Sequence, residues 1–234
     1  MGMPVTAHVR DPGFGAAGLD AAFAWLREVD ALFSTYRPAS DVCRLEAGTL
    51  TLAEADPLVR EVLTRCERLR EETGGAFDAR ACGALDPSGF VKGWALDRAA
   101  ALVDAESLCL DGGGDLVLRG GPWRVGIRHP LQHDRLAAVL ELREGAVATS
   151  ATYERGEHIL DPRTRRPPLG VLSVTVTGPE LATADAYATA AFAMGAAGPA
   201  WTAPLRRHEA MTILDGGRVL STPGVPVAGT LAAA

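Results

Sequence analysis

An aspartate and a threonine four residues apart form the most chemically suggestive pair in this sequence. They lie in Thr183-Ala184-Asp185-Ala186-Tyr187-Ala188-Thr189-Ala190, where a helical repeat puts the Asp185 carboxylate and the Thr189 hydroxyl on one face. Two hard oxygens so placed, with a backbone carbonyl and waters, suit Mg²⁺, which prefers oxygen ligands and usually keeps substrate phosphate in its shell. The same residues also read as an ordinary helix start, with Thr183 as the cap, Asp185 complementing the N-terminal dipole and Thr189 packing. Spacing alone leaves both readings open.

A second candidate runs from Asp86 to Asp97, a small-residue turn carrying Ser88, Lys92 and Trp94 into a helix. Turn amides and a cation can hold a phosphate, but the glycine spacing is not that of a P-loop. A capped helix start with a solvated Lys92 is the alternative. Asp111-Gly112-Gly113-Gly114-Asp115 joins two short apolar runs, as either a plain hairpin or a close backbone approach to a ligand. Thr73-Gly74-Gly75-Ala76-Phe77-Asp78 ends a helix. His158, in His158-Ile159-Leu160-Asp161-Pro162, offers an imidazole as a general base. His129 and His133 resemble a metal pair, but Pro130 between them argues for a loop. The serine-hydrolase pattern Gly-x-Ser-x-Gly does not occur.

The wider composition narrows the function classes. With 234 residues, 47% hydrophobic and 22% charged, the chain can bury a sizeable core, and it is read as one domain over residues 1–234. Its net charge of −6 disfavours a nucleic-acid or anionic-membrane partner. The four cysteines, Cys43, Cys66, Cys82 and Cys109, form no Cys-x-x-Cys pair, which argues against zinc, iron–sulfur and dithiol chemistry. Cys66 falls in phase with Val59, Val62, Leu63 and Leu69, so packing is its expected role. The apolar stretch from Leu181 to Trp201 carries Asp185, two glycines and a proline and reads as a buried helix rather than a membrane span. No secretory or lipid-anchor signal is visible, so the cytoplasm is the expected location.

The elements that must position these residues follow from periodicity. Residues 4–10 alternate as a half-buried strand, and Leu19 to Phe33 repeat at helical spacing. Asp56-Pro57 opens a second helix that Gly74-Gly75 stops, and Ser88 to Val103 forms a third. Period-two runs then predict strands at 107–110, 115–119, 123–128, 136–142, 146–150 and 171–177. A helix over 183–194 precedes a hairpin, 211–214 with 219–221, turning at Asp215-Gly216-Gly217. Mixed helices and strands without strict alternation predict an α+β fold with a largely antiparallel sheet and packed helices.

Taken in order, these segments resemble the FAD:protein FMN transferases, the ApbE family. The landmarks are Met1-Gly2-Met3, Phe33 to Arg37 with Ser40-Asp41 and Arg44-Leu45, Gly75 to Asp78, Asp86 to Asp97, Gly113 to Asp115, Ala148 to Ser150, His158 to Pro162 and Ala184 to Ala190. The resemblance implies an ApbE-like α+β fold, with FAD and Mg²⁺ bound together. It further implies transfer of the FMN half to a Thr or Ser hydroxyl of a target protein, with release of AMP. It makes Asp185 and Thr189 the side-chain metal ligands, with the carbonyls of Val91 and Ala188 beside them. Tyr36 would stack on the isoalloxazine. Ala76, Phe77 and Asp78 would line the flavin and adenosine cleft, and Ser88, Lys92 and Trp94 would lie beside the diphosphate or adenosine. Met1 and Ile159 would touch the cofactor, and His158 and Asp185 would serve catalysis. Glu46, where relatives often have Asn, and Arg166, where they often have Gly, depart from the pattern at the flavin rim. A metal-dependent FAD pyrophosphatase and a non-catalytic FAD carrier are the competing readings.

Overall fold

The structure, a computed structural model, describes residues 3–132, 134–152 and 159–229. A seven-stranded, wholly antiparallel sheet runs in the order β1-β2-β3-β6-β7-β8-β9. Its strands are β1 (Val5–Val9), β2 (Leu108–Gly112), β3 (Asp115–Arg119), β6 (Gly145–Ala151), β7 (Val171–Gly178), β8 (Glu209–Leu214) and β9 (Val219–Ser221). A separate hairpin of β4 (Trp123–Arg128) and β5 (Leu136–Leu142) is inserted between β3 and β6.

The helices are α1 (Asp20–Phe33), α2 (Asp41–Glu46), α3 (Pro57–Glu72), α4 (Ser88–Ala101), α5 (Leu181–Ala193) and α6 (Gly198–Thr202). One core joins α1, α3, α4 and α5 to one face of the sheet through residues such as Leu108, Leu110, Ala148, Val174 and Val176. A second core lies on the opposite face, where Trp123, Ile127 and Leu140 of the hairpin meet Cys109, Leu116, Leu118 and Met211. The molecule is therefore layered: helices, sheet, hairpin.

Local chemistry explains the helix ends. The Asp56 side chain accepts the Leu58 N–H before Pro57 at the first helical position of α3, and Ser40 caps α2 through the Cys43 N–H. Leaving α3, Gly74 and Gly75 take φ of 61° and 82°, values an L side chain resists. The Thr73 hydroxyl accepts the Phe77 N–H at 3.0 Å and so folds the Ala76-Phe77-Asp78 loop back over the helix end. Cys66 is buried in α3 as expected, and burial pushes its thiol up to about 12. All four cysteines are free thiols.

Helix α5 is buried on nearly every side, as an all-round apolar helix must be. It begins at Leu181, two residues before the expected Thr183 cap. Its leading amides are satisfied from another element: the Asp97 carboxylate of α4 accepts the N–H groups of Leu181 and Ala182 at 2.9 and 2.8 Å.

Candidate functional site

The site grows from the crossing of α4 and α5. The Gly93 backbone lies so close to α5 that a Cβ there would stand 2.6 Å from the Leu181 carbonyl oxygen. This approach, fixed further by the Asp97 bonds, turns Lys92 of α4 and Asp185 of α5 toward the same space. Lys92 Nζ contacts an Asp115 carboxylate oxygen and lies 3.6 Å from Asp185 Oδ1. Asp115, at the start of β3, is 1% exposed and accepts the Thr149 N–H at 2.9 Å. Burial raises its carboxyl pKa against the pull of the Lys92 ammonium. Asp185 is 4% exposed. One turn along α5, Thr189 Oγ1 stands 3.5 Å from Ser150 Oγ of β6.

Lys92, Asp185, Thr189 and Ser150 floor a cavity of about 1260 Å³, above the roughly 300–1,000 Å³ usual for one small ligand. Its walls come from all three layers: the end of α1 with the Ser34–Arg37 turn, the Ala76–Asp78 loop, the β2–β3 turn, Val125 to Arg128 of β4, and Ile159. The β2–β3 turn is held by the Asp111 side chain, which accepts the Gly114 N–H at 2.8 Å. Gly113 and Gly114 there take φ of 67° and 96°, so glycine is required.

Of the residues expected to act, Tyr36, Ala76, Phe77, Asp78, Ser88, Val91, Lys92, Ile159, Asp185 and Thr189 all line this cavity. Tyr36 is 93% exposed at its rim, an open aromatic face. Ala188 is buried beside it, its side chain outside the lining. Trp94 departs from the expectation. It is 6% exposed and packs into the core against Trp25 and Phe33, with its ring N–H donating to Glu61 at 3.2 Å. The helical turn between Lys92 and Trp94 points the two side chains to different faces. Lys92 is likewise not the solvated side chain of a plain helix start. Met1 and His158 lie outside the described residues, as does His133; the His129 ring accepts the Leu131 and Gln132 N–H groups in a loop.

Asp115 and Ser150 fall within landmark segments of the sequence, but sequence reasoning assigned neither a role in the site. Asp115 reads as a hairpin-turn residue, and only the sheet register carries it beneath Lys92; its position beside Gly113-Gly114 was the available signal. Glu46, one of the departures, accepts the Arg80 guanidinium at 2.8 Å and the Leu85 N–H at 3.1 Å. The Arg80 bond, then the Leu85 bond, holds its carboxyl below the usual carboxylate range. Arg166 pairs its carbonyl with the Asp161 N–H at 2.9 Å.

The donor set suits a hard cation that shares its shell with phosphate. A buried carboxylate and hydroxyls converge at the floor, and no cluster of three or more His, Cys, Asp or Glu occurs among the described residues. Such a partial oxygen set, completed by ligand oxygens, is the Mg²⁺ pattern rather than that of zinc.

Comparison with known proteins agrees with this geometry. The model of the ApbE family matches residues 1–84 and 80–212. A Rhodobacter capsulatus protein named FAD:protein FMN transferase is 38% identical over 156 residues, 59% of this chain and 30% of that protein. A Treponema pallidum protein of the same name is 31% identical over 179 residues, 61% of this chain and 49% of its own. The chain thus matches less than half the length of these two relatives. The crystal structure of an ApbE protein from Thermotoga maritima superposes with a TM-score of 0.83 at 25% identity, covering 95% of this chain and 94% of that one. A flavin transferase ApbE from Vibrio cholerae, at 24% identity and a TM-score of 0.82 over 95% of this chain and 94% of its own, shares the fold.

Proposed function

Since the chain belongs to the ApbE family, we propose that it is an FAD:protein FMN transferase, moving the FMN half of FAD onto a Thr or Ser hydroxyl of an acceptor protein with Mg²⁺ bound. The observation that carries this reading is the convergence of Lys92, Asp185, Thr189 and Ser150 on the floor of one dinucleotide-sized cavity.

Asp185 and Thr189, with the carbonyls of Val91 and Ala188, would hold the cation. When bound, Mg²⁺ supplies neutralising charge to the diphosphate and to the departing AMP. The chain's own groups do the rest. Lys92 presents its ammonium to the diphosphate oxygens, and Asp115 keeps that ammonium in place. Phe77 and Ile159 give apolar walls, and Tyr36 offers its ring face to the isoalloxazine. The acceptor oxygen bonds to the FMN phosphorus, the bridging P–O bond breaks, and AMP leaves with the bridging oxygen. His158 takes the acceptor's proton. Phosphoryl transfer needs alignment and charge balance more than covalent help, and the cavity's residues are of that kind.

Among the described residues no helix is long and apolar enough to cross a membrane. Four free thiols support a reducing compartment, the cytoplasm. The net charge of −6 supports a protein rather than a nucleic-acid partner.

Incubation with FAD, Mg²⁺ and a Thr-bearing acceptor tests the reading by mass spectrometry. An FMN-sized gain on the acceptor with an equal amount of AMP is expected. FMN and AMP with no adduct would instead make the protein a pyrophosphatase, and intact FAD a carrier.

A further inference from the structure

The hairpin carries a strand edge that opens onto the cavity. β5 is covered along its outer edge by the 226–228 segment: the Glu141 N–H donates to the Pro226 carbonyl at 2.8 Å, and the Ala228 N–H donates to the Val139 carbonyl at 2.7 Å. Backbone groups of Glu141 and Val139 therefore point away from β4. In an antiparallel ladder, the residues opposite them must then point away from β5. Those residues are Arg124 and Gly126. Among the described residues no other backbone pairs with them. Their N–H and C=O groups thus form an unpaired ladder edge, and Val125 to Arg128 of the same strand line the cavity wall.

The surroundings of this edge favour a peptide. Gly126 presents no side chain there, and Gly126 and Arg124 are exposed. Thr6 and His8 of β1 pair with Asp111 and Cys109, which places them on the sheet face the hairpin covers, where they too are exposed. Arg10 lies 3.6 Å over the Trp123 ring, so Arg10, Arg124 and Arg128 put positive charge along the strand, outnumbering Glu141 of the hairpin, which sits opposite Arg124, in a chain whose net charge is −6.

We infer that the acceptor protein docks by adding an extended segment to the free edge of β4, in an acidic sequence context, so that its Thr or Ser reaches the cavity at the Arg128 end. The inference rests on the transferase reading above and names how that site takes its second substrate. Strand addition supplies affinity from main-chain bonds. The arginines select acidic neighbours and against basic ones. The hydroxyl-bearing residue itself is held by backbone, and its acidic neighbours supply the selectivity.

The test uses the full chain with FAD, Mg²⁺ and synthetic 12-residue acceptor peptides, each with one central Thr, β-branched neighbours and either acidic or basic flanks. Arg124→Pro removes the outward N–H at an edge position that tolerates proline; Arg124→Ala removes only the charge. Acidic peptides are expected to be labelled at lower KM than basic ones. Arg124→Pro is expected to raise the peptide KM about fivefold to tenfold above Arg124→Ala, from the lost main-chain bond. FAD affinity, read by flavin fluorescence, stays at the wild-type value. Peptides N-methylated at alternate residues should lose labelling in a two-residue period with wild-type protein, a readout that needs no variant to fold. Equal KM for the Pro and Ala variants together with a flat N-methyl scan would overturn the inference while leaving the transferase reading intact. Absence of AMP from wild-type protein with every peptide would overturn that reading itself, and the docking with it.

Discussion

The Lys92 ammonium sits between two buried carboxylates that have different tasks. Asp185 lines the cavity, and Asp115, outside the lining, accepts a backbone N–H from Thr149. Asp185→Asn is therefore expected to lower Mg²⁺-dependent AMP release from FAD by at least about 100-fold, a loss typical of removing one electrostatic contact from a reacting phosphate site. Thermal unfolding should change little, and a variant with wild-type turnover would remove Asp185 from the metal site. Asp115 behaves differently. Asp115→Asn leaves Lys92 without its closest charge partner, and losing one side of a buried pair costs about 3–5 kcal/mol when fully desolvated. Lys92 is 20% exposed, so roughly 2–4 kcal/mol is expected in urea unfolding. The double variant Asp115→Leu with Lys92→Met should recover most of that stability but none of the AMP release. Recovery of both would mean the pair serves only packing.

Elements explain why some of these residues were legible and others were not. The alternation of β1, the Asp56-Pro57 start of α3 and the Asp215-Gly216-Gly217 turn are local signals, and each falls where sequence places it. That Asp185 and Thr189 share a helix face needs only a helical repeat, but spacing leaves their role open, and the family resemblance supplies it. Short α2 and α6 were missed because a single turn carries too little periodicity. Helix α5 starts earlier than Thr183 because Asp97, 84 residues upstream of Leu181, caps it across space; no local window contains that partner. The resemblance alone places Trp94 beside the ligand, and its position two residues after Lys92 on a helix turns it to the core instead. Asp97 also makes a pH-dependent contribution. Burial pushes its carboxyl up to about 6 from an ordinary 3.8, against the opposing amides of Ala182 and Leu181. A folded pKa above the unfolded one means the native state holds the proton more tightly. The stability from this group is full below about pH 4, declines as pH rises to about 6 and is level above that. The span is on the order of 2–3 kcal/mol. Asp97→Asn should flatten that slope in urea titrations between pH 4 and pH 6, and an unchanged slope would assign it to other carboxyls. Gly93→Ala should destabilise more bluntly, by about 1–3 kcal/mol, since its Cβ would meet the Leu181 backbone at 2.6 Å. Full stability in that variant would show that α4 and α5 can part without cost.

At the scale of the whole molecule, the cavity is where helix layer, sheet end and hairpin meet. A ligand that spans it touches all three layers, and none of its binding energy is available to an unfolded chain that scatters Lys92, Asp115 and Asp185 through the sequence. Binding must therefore appear as global stability, by about 2.7 kcal/mol at a concentration 100 times Kd. For a chain of 234 residues each kcal/mol moves Tm by roughly 2–4 °C, so saturating FAD with Mg²⁺ should raise Tm by roughly 5–10 °C. Mg²⁺ alone should do much less, because one carboxylate, one hydroxyl and two carbonyls would leave its shell incomplete until ligand phosphate finished it. Calorimetry with Mg²⁺, FAD and both together decides the matter. Shifts that merely add would mean that cation and dinucleotide bind apart, whereas a combined shift larger than the sum places them in one site. The excess should vanish in Asp185→Asn while the smaller shift from FAD alone remains.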